Sequence, residues 1–207
     1  MAQPSLREVA RPGTTAVVLQ ELQNGVVGEQ AALRDLADAA ASAGVIPNAA
    51  RLAAAARAAG IPVIHATAES LPGGFGANHN ARLFAAARRL GAGLAPGTPS
   101  VRPVREVYAE GDVILPRYHG LSPMTGTQLD ALLRNAGITT VIVAGVSLNV
   151  AIPNTVFDAV NRSYQVVIPS DAVAGTPAEY GRQVIDHCLR LISTVTTTDA
   201  LVAAWAG

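Results

Sequence analysis

The stretch Thr140 to Val146 reads TVIVAGV, and it runs through Ser147, Leu148 and Asn149 straight into a helical pattern from about Val150 to Arg162. An unbroken apolar run of this kind suits a strand buried on both faces, as parallel sheets require. Pro153 is tolerable in the following helix because it falls in the first turn, where an N–H has no partner to lose. The unit is therefore strand, tight turn, helix. Upstream, Thr15 to Gln20, Ile61 to Thr67 and Asp112 to Arg117 give further strands, the last ending near Pro116. Downstream, Gln165 to Pro169 and Val195 to Thr197 supply two more.

Helical patterns separate these strands. They cover about Gln30 to Ala43, Asn48 (read as an N-cap) to Gly60, Ala81 to Leu90, Thr127 (a second N-cap) to Gly137, Pro177 to Ile192 and Asp199 to Trp205. Pro72 to Asn80 and Gly91 to Pro103 read as loops. Strict alternation predicts a single α/β domain over residues 1–207. Its architecture is Rossmann-like: a doubly wound, mostly parallel six-stranded sheet with helices on both faces.

Composition bounds the function. Half of the 207 residues are hydrophobic, 14% are charged, and fifteen acids balance fifteen bases. That excludes a disordered chain and offers no basic stripe for nucleic acid. Met1 to Pro12 holds no apolar leader, and no apolar run approaches the roughly 18 residues of a membrane span. A soluble, cytoplasmic protein is expected. All fifteen cations are arginine, so no mechanism here can use a lysine. Cys188 is the only cysteine and reads as a core thiol within a helix.

In doubly wound sheets ligands sit beyond the carboxyl ends of the strands. The first strand ends in Gln20, Glu21, Leu22, Gln23 and Asn24. A carboxylate at the mouth of a buried strand is costly without a partner, which marks Glu21 as a candidate acid; the plainer reading is a loop acid in a β-to-α turn. The third strand ends in Leu115, Pro116, Arg117, Tyr118 and His119, offering an anion clamp and a group that titrates near neutrality. The fourth delivers Ser147, Asn149 and Ala151 to a helix start, where backbone N–H groups can meet an anion. His65 and His79 lack metal-ligand spacing, and neither metal nor cofactor is expected.

Taken together these segments resemble the isochorismatase-like cysteine hydrolases. The family's apolar-run, Asp, x, Gln, Asn pattern matches Glu21 to Asn24 with glutamate for aspartate. Its Ala-Gly-Val strand matches Ala144 to Val146, and its Asp-Ala turn matches Asp171 and Ala172. The resemblance places the family's lysine position at Leu115 and its nucleophilic cysteine position at Ala151, so the triad positions read Glu21, Leu115, Ala151. It further implies a cis peptide between Val146 and Ser147, and a homodimer or homotetramer, to which the alanine-rich helix from Arg51 to Ala59 would contribute close packing.

Two functions follow as expectations. One is a hydrolase acting on a small molecule without a cysteine: Glu21 is the general acid/base, its carboxyl neutralised by the lack of a neighbouring cation, and His119 a second catalytic candidate. Gln23, Asn24, Arg117, Ser147, Asn149 and Ala151 then surround the substrate, with Arg117 or His119 on the wall opposite Glu21 to hold a substrate carboxylate. The other is an inactive small-ligand-binding or assembly protein.

Overall fold

Successive side chains of a strand point to opposite faces, so a strand buried on both must feed two cores. In the computed structural model, which describes residues 4–91 and 93–206, the strand β1 (Thr15–Gln20) does this: Val17 and Leu19 enter one apolar cluster, Ala16 and Val18 the other. Met1 to Gln3, Ala92 and Gly207 lie outside the described residues, and with them the two ends of the expected 1–207 domain and part of the 91–103 loop.

A short helix α1 (Leu6–Val9) precedes β1. The chain continues through α2 (Arg34–Ser42), α3 (Val45–Ala58), β2 (Val63–Ala68), α4 (Arg82–Leu90), β3 (Val113–Arg117), α5 (Leu129–Asn135) and β4 (Thr140–Val146). It ends with α6 (Ala151–Asn161), β5 (Gln165–Pro169), β6 (Val173–Ala174), α7 (Ala178–His187), β7 (Thr194–Thr196) and α8 (Thr198–Trp205). The strand order is β3-β2-β1-β4-β5-β7, all parallel, with β6 paired to the end of β4. α2, α3 and α8 cover one face; α5, α6 and α7 cover the other. No described helix is long and apolar enough to cross a membrane.

The differences from the expected elements have local causes. The two-residue β6 is too short to show a period. The helix expected from Gln30 begins at Arg34, because residues before it form turns, with the Ala31 N–H bonded to Gly28 O. Asn48 does not cap α3. Gly44, in the left-handed region at φ 67°, stands before its first turn, and the Asn48 amide donates across to Asp171 O at 2.8 Å. Thr127 does receive a helix N–H, that of Leu129, at 3.0 Å. Cys188 is not within a helix: it closes α7, half-buried against the second cluster. On α3, Ala49, Ala53 and Ala56 face the first core, while Ala54 and Ala58 are exposed.

The order reverses between β1 and β4: the chain winds outward from β1 to β2 and β3, then returns to start again at β4. That switch point opens a crevice at the carboxyl ends of the two strands. Their close approach explains the glycine of the Ala-Gly-Val strand. Gly145 pairs with Gln20 at φ 117°, and a Cβ there would stand 2.1 Å from Gln20 O.

Candidate active site

Glu21 is the first residue beyond β1, and its backbone turns into the left-handed region at φ 55°. Only a few per cent of non-glycine residues adopt this conformation, and such positions cluster at functional sites. Its N–H bonds Ala66 O at 2.9 Å, which keeps it on the sheet's edge. Its carboxylate Oε1 lies 2.5 Å from Nη2 of Arg117, the last residue of β3, with the two side chains 16% and 10% exposed. β2 separates these strands and ends in Ala68, the register partner of Arg117, whose small side chain leaves the guanidinium room to cross. The other terminal nitrogen of Arg117 donates to the carbonyls of His119 and Gly120.

Three sequence expectations change here. Glu21 is not left without a cation by Leu115, because Arg117 takes that place. Arg117 does not stand on the opposite wall as a free carboxylate clamp; both terminal nitrogens already serve Glu21 and the loop after β3. Leu115 is buried in the second core beside Ile64 and Met124 and lies outside the cleft.

The cleft holds about 690 Å³ and is lined by Glu21, Arg117, Ser147 and Ala151 together with apolar residues such as Phe84 and Leu94. α4 has no buried residue, yet Leu83, Phe84 and Leu90 face this space. Ala151 is the first residue of α6. The peptide before Ser147 is cis, as the resemblance implied. Among the N–H groups expected at the strand mouth, Leu148 donates to Ala174 O at 2.8 Å and Val150 to Ser147 O at 3.3 Å. The Ala151 N–H has no acceptor among the described residues and is open to an anion or oxyanion.

Asn149 joins a smaller adjoining recess of about 390 Å³, where its amide exchanges two hydrogen bonds with Thr176 at 2.6 and 2.9 Å. Gln23 and Asn24 do not line either space. Gln23 is fully buried: its Oε1 accepts the Ala68 N–H at 2.7 Å and its Nε2 donates to Ala68 O at 2.9 Å, tying the end of β2 to the loop after β1. Asn24 donates to Pro99 O at 3.0 Å. Both position the wall rather than face it. His119 sits exposed at the rim, its Nε2 3.2 Å from Gly126 O.

His65 lies in the core and is hydrogen-bonded to Asp112 at 2.8 Å. Asp112 also takes a two-pronged bond from Arg57, at 2.9 and 2.7 Å. Burial pushes His65 below the usual imidazole value, against the pull of Asp112. Burial would raise Asp112, but bonds from Arg57, His65 and the Ala109 N–H together hold it below the usual carboxylate value. Among the described residues no cluster of three or more His, Cys, Asp or Glu is arranged to hold a metal.

Sequence reasoning missed Glu69. It follows β2 directly, its N–H bonds Arg117 O at 2.9 Å, and it lines the same cleft. Burial raises its carboxyl above the usual value, partly offset by the Thr67 hydroxyl donating at 3.2 Å. The signal was available: an acid at the end of a buried apolar strand is the feature that singled out Glu21.

The chain is similar to known proteins in sequence and in fold. The isochorismatase domain model matches residues 15–200. Ureidoacrylate amidohydrolase RutB of Serratia proteamaculans is 31% identical over 188 residues, 83% of this chain and 74% of that protein. RutB of Methylorubrum extorquens is 34% identical over 183 residues, covering 80% and 72%. Among solved structures, a cysteine hydrolase from Pseudomonas syringae pv. phaseolicola superposes with TM-score 0.83 at 26% identity, over 99% of this chain and 98% of the other. The chain belongs to the isochorismatase family.

Proposed function

We propose that this protein is an isochorismatase-family hydrolase that acts on a small molecule without a cysteine nucleophile, with Glu21 as the general acid/base. The observation that carries this reading is the placement of Glu21: an αL residue at the switch point, facing the cleft and ion-paired to Arg117. In the ionised form of that pair the carboxylate is a proton acceptor suited to a water molecule. Arg117 orients it, and the Ala151 N–H would receive charge on a substrate oxygen. Neither cofactor nor metal is required. The similarity to ureidoacrylate amidohydrolases makes ureido and simple amides the first substrates to test, with esters and a vinyl ether beside them. Glu21→Gln should abolish turnover and leave ligand affinity nearly intact, since the amide keeps shape but loses proton transfer. Turnover that survives Glu21→Gln would refute the assignment.

The second reading, an inactive small-ligand-binding protein, is favoured by the apolar residues at positions 115 and 151. It requires that no member of the panel is hydrolysed while some member binds. We also place the protein in the cytoplasm as a homodimer or homotetramer, with no nucleic-acid partner. Exposed Phe75 and Leu191, at 77% and 79%, are surfaces that association would cover. Light scattering at micromolar concentration should return a multiple of the 21.1 kDa chain mass, and a monomeric mass would contradict this.

A further inference from the structure

Resting on the hydrolase reading above, we propose that Glu69 is a second catalytic residue of the cleft: the carboxylic acid that protonates the leaving group while Glu21 takes the proton of the attacking water.

Glu21 and Glu69 follow neighbouring parallel strands and line one cleft, at the two ends of a chain of contacts through Arg117: its guanidinium meets the Glu21 carboxylate and its carbonyl accepts the Glu69 N–H. Arg117 thus serves the two acids unequally, one by charge and one only by its backbone. Glu69 has no ion pair among the described residues, and the Thr67 hydroxyl is its one hydrogen-bond donor. The same cleft is lined by the apolar residues Ala68, Leu71, Leu94 and Ala95, and an apolar wall favours the neutral acid. The raised carboxyl value of Glu69 agrees with this. The ionisable groups facing the cleft from its several elements are Glu21, Glu69, Arg88, Arg117, Tyr118 and His119. Two carboxyl groups whose environments push them apart are a pattern by which one site runs acid and base chemistry together.

An amide is cleaved by attack of water and protonation of the leaving nitrogen. Glu21 accepts a proton from water, the new hydroxide oxygen bonds the carbonyl carbon, and the oxyanion meets the Ala151 N–H. The C–N bond then breaks and its electron pair takes the proton of Glu69, releasing a neutral amine and a carboxylic acid. Glu21 is left protonated and Glu69 ionised, and one proton passed between them through solvent restores the start.

The test uses two probes that differ in their need for a proton: an alkyl amide, whose amine must be protonated to leave, and a p-nitrophenyl ester, whose phenolate leaves unaided. Glu69→Gln should lower kcat for the amide by about 100-fold or more with little change in KM, and remove the fall in rate at rising pH. The same variant should cost far less on the ester, while Glu21→Gln should abolish both. Glu69→Asp should restore part of the amide rate, and His119→Asn should leave the basic limb in place. Equal losses on amide and ester, or a basic limb that persists in Glu69→Gln, would overturn the role of Glu69 and leave that of Glu21 standing. A protein inert to both probes would overturn the hydrolase reading and this assignment together.

Discussion

Arg117 and Glu21 stand 96 residues apart in sequence, yet the guanidinium of the first lies 2.5 Å from the carboxylate of the second, across the end of an intervening strand. The contact ties the end of β1 to the end of β3, and through the carbonyls of His119 and Gly120 to the loop that follows β3.

Removing one member of a largely buried pair leaves the other charge uncompensated, which costs more than the pair itself contributes. Arg117→Met should therefore destabilise the fold by about 3 kcal/mol, measured by urea denaturation. Adding Glu21→Gln to it should recover part of that loss. Simple additivity of the two substitutions would show that the pair is not coupled.

Gly145→Ala should be among the most damaging single-methyl changes in the chain. The added Cβ meets the Gln20 carbonyl at 2.1 Å, and both groups belong to the backbone of adjoining central strands, so neither can turn aside. Overpacking and a positive φ together predict a loss of about 3 kcal/mol or more. A soluble variant with unchanged denaturation midpoint would be incompatible with this packing.

The network of His65, Asp112 and Arg57 makes stability fall on acidification. His65 is depressed in the fold, so between its folded value and the ordinary one near 6.5 the unfolded chain binds the extra proton, and stability drops as pH falls below about 6.5. Asp112 is depressed too, and adds a second loss below its ordinary value near 3.8. Denaturation midpoints between pH 7.5 and 5 should show the upper loss, and His65→Asn should flatten it. An unchanged slope in that variant would assign the loss to another group.

Thiol alkylation under native conditions should leave any activity intact. Cys188 closes α7 and packs against the core on the face covered by α5 and α6, and it does not line the cleft. Ala151→Cys would place a thiol in the cleft itself, and iodoacetamide should label it at that site. It should not create an efficient amidase, because no lysine accompanies the new nucleophile. Loss of activity on alkylation of the unmodified protein, reproduced by Cys188→Ser, would point to a cysteine mechanism.

The sequence by itself determined the alternation of strands and helices, since runs such as Thr15 to Gln20 and Thr140 to Val146 are legible from local pattern and make a parallel sheet the economical arrangement. It also placed an acid at the first strand's end and a helix start near Val150, one residue before the observed α6, at the strand ends where ligands gather in such sheets. What it left open was which side chains meet there. Gln23 and Asn24 sit beside Glu21 in the chain but turn to backbone groups of Ala68 and Pro99, whereas Arg117 arrives from another strand to become its partner. Glu69 joins the site because its strand lies between theirs. Local pattern reports which face of an element is apolar; pairing of charges depends on register and twist between strands far apart in sequence, and only the assembled sheet sets those.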